Sequence, residues 1–303
     1  MTQLLLLAGS LMAGFGYDDP APLPGTVEPR LVVRDISFAE GPTFDSKGNL
    51  FFVNYKGNGN IGRRTPAGEV AVWLKLPDTA PGQGGKALRA FPFGLKADAQ
   101  DRLIAADYGG RRLLRISANK EVETLADSYE GRPFNNPNDV CLDRAGNVYF
   151  TDPQGPDKNS VGTLYCYTAA GKLARLHTGL KYPNGLVVAP DQKSLYVAET
   201  WTRSIVAFDL AEDGTLSKQR LVHQFSTPTV DGLALDEHGR IWVARLDNKS
   251  VDVLSPAGKL LAIYPVGGDR VTNLAWHEKS LYVTVAGKVG AIYRLDLNVR
   301  GAR

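Results

Sequence analysis

The sequence predicts an all-β fold, a six-bladed β-propeller over residues 30–303 with a metal site on its central axis. Three observations predict it. A phrase consisting of a polar turn, a short apolar strand, a Gly-containing turn and a second strand recurs six times. Anchored on Gly41, Gly94, Asp139, Gly185, Gly232 and Asn273, the copies lie 53, 45, 46, 47 and 41 residues apart. A period of roughly 40 to 50 residues with several short strands per repeat marks propeller blades, because one blade alone cannot bury both faces of its sheet. Third, no stretch carries sustained helical periodicity.

In chain order, residues 1–29 precede the repeats as a signal-like segment and linker. The apolar run over residues 4–16 has the length of a signal-peptide core but lacks a preceding Lys or Arg. It is too short to span a membrane, which takes about 20 residues. The segment is compatible with export to the periplasm or medium; an uncleaved chain would be cytoplasmic. Residues 18–28, rich in Pro and Gly, read as a linker. Leu31, Val32, Val33 and Ile36 form an early strand, expected to complete the last blade and close the ring.

The third copy gives the phrase most fully: Pro137-Asn138-Asp139-Val140-Cys141-Leu142, a turn at Gly146, then Val148-Tyr149-Phe150-Thr151-Asp152. Apolar runs joined by a Gly-containing turn are a hairpin signal. Matching second strands lie at 50–54, 103–107, 195–199, 241–245 and 281–285, and third strands of later blades at 163–167, 204–208, 251–254 and 291–295. Residues 78–90 are a Gly-rich insertion, either a pocket rim or a plain surface loop.

A net charge of +3 without a Lys/Arg-rich block excludes a nucleic-acid partner, and nothing suggests a membrane partner. The oligomeric state is not legible. The two cysteines, Cys141 on a first strand and Cys166 on a third, are separated by a strand and read as buried free thiols.

In a propeller every first strand lines the channel, so equivalent turns converge on the axis. The residues just before the anchors are Glu40, Phe93, Asn138, Asn184, Asp231 and Thr272. Taken singly, Asn-Gly and Asp-Gly are ordinary turn openings. Glu40, Asn138, Asn184 and Asp231 together are an oxygen-only donor set with two carboxylates. That set suits a hard divalent cation, Ca²⁺ ahead of Mg²⁺, with Mn²⁺ or Zn²⁺ also compatible. A second ring, the ends of the second strands, holds Asn54, Asp107, Asp152, Glu199, Arg245 and Val285. These are expected on the pocket wall or orienting the ligands. No Gly-x-Ser-x-Gly elbow, His-Glu-x-x-His helix or phosphate loop is present, and the four histidines read as surface residues of outer strands and turns.

Phe38-Ala39-Glu40-Gly41-Pro42, Asn135-Asn136-Pro137-Asn138-Asp139, Tyr182-Pro183-Asn184-Gly185 and Val230-Asp231-Gly232-Leu233 resemble the SMP-30/gluconolactonase family, in order and over the chain from about residue 30. The resemblance implies a six-bladed propeller with one catalytic divalent metal, usually calcium, held by Glu40, Asn138, Asn184 and Asp231. Relatives hydrolyse sugar lactones or other lactones, and some cleave organophosphates. In the senescence-marker branch an arginine two residues before the middle ligand helps bind the sugar; here that residue is Asn136. The phrase from Asn135 to Asp139 is closer to that of bacterial gluconolactonases. Candidate substrate-binding residues are therefore Asn135, Asn136, Asp107, Asp152, Glu199 and Arg245.

The expected function is a calcium-dependent lactonase acting on a small lactone such as gluconolactone or a related aldonolactone. Asp231 is the candidate general base, or alternatively a direct nucleophile, with Glu40 the second candidate. The alternatives are a phosphotriesterase at the same metal and a non-enzymatic binding propeller with a structural metal.

Overall fold

The computed structural model describes residues 22–80, 86–154, 161–227 and 229–302. The signal-like run falls outside them. Every regular element among the described residues is a β-strand.

Four sheets of four strands stand apart, each a meander in chain order. They run from Pro92–Ala97 to Val122–Ala126, Val140–Leu142 to Leu173–Leu180, Pro183–Val188 to Leu216–Gln224, and Val230–Leu235 to Leu260–Pro265. The expectation of six separate blades is corrected here. Strands of the first and last copies form one seven-stranded sheet, with Arg30–Phe44 between Gly290–Asp296 and Leu50–Tyr55. The reason is the length of Arg30–Phe44, 15 residues. Its first half pairs with the last strand, Leu31 opposite Tyr293 and Val33 opposite Ile292. Its second half pairs with Leu50–Tyr55, Glu40 opposite Val53 and Thr43 opposite Phe51. The early strand thus pairs with the end of the chain, as its apolar pattern suggested.

First strands follow one another around the axis, and Arg270–His277 packs against Arg30–Phe44 to close the circle. Direct bonds stitch neighbours: the Gly94 amide donates to the Asn138 carbonyl at 2.7 Å, and the Thr272 hydroxyl to the Ala39 carbonyl at 2.7 Å. The anchor glycines are there for space. A Cβ on Gly94 would lie 2.4 Å from Asp139 Oδ1, and one on Gly232 2.4 Å from Asn273 Oδ1. Only a residue without a side chain lets the neighbouring strand come so near.

Cores lie between sheets rather than at the centre. Trp242, fully buried, stacks on Tyr264 at 5.7 Å and meets Trp276 edge-on at 5.1 Å. Each such side chain removed from water contributes about 1.5–3 kcal/mol. Alternating burial in the second strands is absent: Leu103–Asp107 and Ile241–Arg245 are buried throughout, because sheets pack on both faces. The end of the linker is docked, with Tyr264 donating to the Pro24 carbonyl and Asn298 to that of Pro22, each at 2.8 Å. Cys141 and Cys166 are buried free thiols. One histidine departs from expectation: His277 ends a first strand and stacks on Phe44 at 4.5 Å.

Candidate active site

The residues before the anchors sit where the hairpin registers slip. Pairing between first and second strands shifts on either side of Glu40, between Pro92 and Leu95, between Pro183 and Leu186, between Val230 and Leu233, and between Val271 and Asn273. A bulge re-aims the side chain it carries. Here it turns Glu40, Asn184 and Asp231 out of the strand alternation. Gly41, at φ +51°, takes up the backbone distortion beside Glu40. In the third copy Asn138 precedes its strand and is held by its amide to the Thr151 carbonyl at 2.8 Å.

Glu40, Asn138, Asn184 and Asp231 line one cavity of about 250 Å³ at the axis. All four are buried. The Gly41 amide donates to Glu40 Oε2 at 3.0 Å, and Asn184 Nδ2 donates to Thr200 Oγ1 at 3.2 Å. Asp231 Oδ1 is buried with no hydrogen-bond partner. Burial, then the neighbouring Asp139, pushes Glu40 up to about 8; burial, then Glu40, raises Asp231 well above the usual carboxylate range. No group of three or more His, Cys, Asp or Glu suited to a metal occurs among the described residues; this set has two carboxylates and two amides. A divalent cation fits it chemically: the donors are all oxygens, one anionic oxygen is unengaged, and paired buried carboxylates call for a countercharge.

The second ring is elsewhere. None of Asn54, Asp107, Asp152, Glu199, Arg245 and Val285 lines the cavity. Instead, five of them fasten the turns that carry the first ring. Asp107 accepts from the Phe91 amide at 2.8 Å, Asp152 from the Asn136 amide at 2.7 Å, and Glu199 from the Lys181 amide at 2.7 Å. Asn54 donates to the carbonyls of Phe38 and Pro92, and the Arg245 guanidinium to that of Thr227 while paired with Asp252. Each bond falls one to four residues before a first-ring position. The four charged residues expected to bind substrate are therefore spent on backbone groups of these turns and, for Asp107 and Arg245, on ion pairs with Arg112 and Asp252. Asn135 and Asn136 do not line the cavity either: Asn135 Nδ2 donates to Asp152 at 3.3 Å and Asn136 Nδ2 to the Tyr108 carbonyl at 3.0 Å. The described part of the 78–90 insertion is likewise off the cavity.

Apart from Phe93, which the repeat placed on the axis, residues not anticipated take those places. Phe38, Phe93, Tyr182 and Trp201 wall the cavity, with Asp247 and Arg270 at its edge. Below it Asp139, buried, accepts from Asn273 Nδ2 at 3.1 Å and from the Val140 amide at 2.8 Å. Asp139 was visible in the repeat alignment, as a charged residue where four copies carry glycine. The aromatics carried a fainter signal, large rings within two residues of the first-ring positions at Phe38, Phe93 and Tyr182.

Residues 38–287 match the SMP-30/Gluconolactonase/LRE-like region. The gluconolactonase of Zymomonas mobilis is 26% identical over 283 residues, covering 86% of this chain and 79% of the relative. Diisopropyl-fluorophosphatase of Loligo vulgaris is 28% identical over 258 residues, covering 75% and 78%. A solved gluconolactonase from Xanthomonas campestris shares the fold at a TM-score of 0.74 and 24% identity, covering 91% of this chain and 98% of that one. With the family match running through all six copies of the repeat and all four cavity-floor residues, the chain belongs to the SMP-30/gluconolactonase/LRE-like family.

Proposed function

We propose that this chain is a divalent-cation-dependent lactonase, with calcium as the cation and a small lactone as substrate. The observation that carries the reading is the convergence of Glu40, Asn138, Asn184 and Asp231 on the floor of one cavity, with Asp231 Oδ1 unengaged. We count the ring as six units, taking the seven-stranded sheet as two that share Arg30–Phe44.

Those four side chains would hold the cation, which when bound supplies a Lewis acid to polarise a lactone carbonyl. Asp231 is the residue to take a proton from water, its carboxyl already raised toward the proton-holding form by burial and by Glu40. Phe38, Phe93 and Trp201 keep bulk water from the floor and strengthen every charge interaction there. A second reading, phosphotriester hydrolysis at the same floor, draws on the likeness to the Loligo vulgaris enzyme.

The deciding assay is a panel of lactones and phosphotriesters, with chelator and after calcium return. Lactone turnover should vanish with chelator, return with calcium and exceed phosphotriester turnover. Turnover indifferent to chelation, or confined to phosphotriesters, would overturn the proposal.

A stability experiment addresses the floor without any substrate. In chelated protein the folded state holds the Glu40 proton up to about pH 8, whereas the unfolded chain releases it near 4.5. The folded state therefore binds more protons across that window, and stability must fall as pH rises through it. The melting temperature of chelated protein should decline from pH 5 to pH 8, and saturating calcium should flatten the decline.

A further inference from the structure

The edge of the cavity carries charges that the floor does not use. Arg270 is the one cation among the described residues that line it. It opens the strand Arg270–His277, and Asp247 follows the strand Ile241–Arg245 of the preceding sheet. Backbone bonds fix both at that seam: the Val271 amide donates to the Leu246 carbonyl at 3.2 Å, and the Leu246 amide to the Thr229 carbonyl at 3.2 Å. The Thr229 hydroxyl donates to Asp247 Oδ2 at 3.0 Å, and Asp247 Oδ1 faces Arg270 Nε at 3.8 Å. That separation makes an ion pair without a hydrogen bond. Arg270 has no hydrogen bond among the described residues, so a half-exposed guanidinium lines the cavity with its donors unspent. Its charge reaches the floor: burial and Glu40 raise the Asp231 carboxyl, and Arg270 acts against them.

From this we infer that Arg270 is the specificity-determining residue of the cavity and pairs with a carboxylate carried by the substrate, which makes the substrate class an acidic lactone. The inference rests on the lactonase reading and narrows its substrate. An arginine approached by an acid at Nε keeps Nη1 and Nη2 as a planar fork, and that fork matches the two oxygens of a carboxylate. Asp247 then orients the fork rather than consuming it, and the Thr229 hydroxyl holds Asp247 in place. With a divalent cation balancing Glu40 and Asp231, and Arg270 balancing Asp247, an incoming anion meets no uncompensated negative charge among the residues lining the cavity. A neutral lactone leaves the fork to water at no burial cost, because Arg270 is half exposed. The selectivity is therefore that of a gained charge-assisted bond, not of a lost one.

A matched pair of substrates tests it: γ-butyrolactone-γ-carboxylate and the corresponding carboxamide share ring, size and reacting carbonyl and differ in charge. With calcium present, kcat/KM should favour the carboxylate by about tenfold, the low end for a hydrogen bond to a charged group. Added salt should shrink that preference, since the pairing is open to solvent. Arg270→Gln keeps a polar side chain without the charge and should erase the preference by raising KM for the carboxylate. Arg270→Lys, which keeps the charge but not the fork, should retain part of it. Titration calorimetry with tetrahydrofuroate, which has no lactone bond to open, gives a readout free of turnover, and Arg270→Gln should weaken that binding by about tenfold. Equal turnover of the pair, or a preference that survives Arg270→Gln, would overturn the inference while leaving the lactonase reading standing. Tetrahydrofuroate binding that depends on Arg270, without turnover of any lactone, would sustain the inference about the cavity and sink the lactonase reading. Absence of both would sink both.

Discussion

Asp231→Asn is expected to fold, to bind calcium more weakly and to lose about 100-fold or more in kcat, the scale of removing a general base. The substitution keeps an oxygen donor of nearly the same shape at a fully sheltered position, so sheet packing around Val230–Leu235 should not change. It removes the carboxylate's ability to accept a proton. Glu40→Gln is the comparison. Glu40 Oε2 already accepts from the Gly41 amide, so its loss of charge should chiefly weaken cation binding and be partly rescued by excess calcium. Steady-state kinetics across a calcium titration separate the two. If Asp231→Asn is the variant that calcium rescues and Glu40→Gln stays inactive when loaded, the base is Glu40. Full activity in both would remove a carboxylate base from the mechanism.

The largest stability effect is expected far from the cavity. Asp236 and Arg240 are both fully buried, their ion pair only 2.6 Å long. Asp236 also accepts from the Trp242 indole at 2.9 Å and from the amides of His238 and Arg240. One carboxylate therefore holds together a tight turn, a buried cation and the largest aromatic of the core. Asp236→Ala would remove at one stroke the acceptor of the Arg240 guanidinium, the Trp242 indole and two backbone amides, a loss on the order of 3–5 kcal/mol. Urea unfolding should report that drop with an unchanged slope. Asp236→Asn, whose one oxygen can still accept from the amides of His238 and Arg240, should fall between Ala and wild type. A drop under about 1 kcal/mol in Asp236→Ala would mean the guanidinium reaches water or other acceptors at little cost.

The repeat made the fold legible because strands, turns and anchors recur at nearly constant spacing, and spacing survives where individual residues vary. The floor was legible for the same reason: Glu40, Asn138, Asn184 and Asp231 occupy one position in four copies, and a ring brings equivalent positions together. The wall was not. Asp107, Asp152 and Glu199 end their strands on the cavity side, but sequence does not say whether a carboxylate meets solvent, ligand or a neighbouring amide, and here the amides of Phe91, Asn136 and Lys181 claim them. Trp201 and Tyr182 come together across the base of a turn, a contact with no periodicity to betray it. The joining of two blades into one sheet depended on the length of a single strand, which apolar residues at 31–33 and 36 outline only in part.

That shared strand imposes an order on the protein's birth. Leu31 and Val33 leave the ribosome long before their partners Tyr293 and Ile292. Until then the nascent chain carries two uncovered sheet edges, open to pairing with other chains. Closing so distant a contact is slow, since the entropy of the intervening loop must be met before the pairing returns anything. Once formed, the same pairing works as a latch, because the seam cannot part without breaking the bonds between the two ends. The time the ring stays shut, more than its depth in free energy, then decides how long the molecule lasts among proteases.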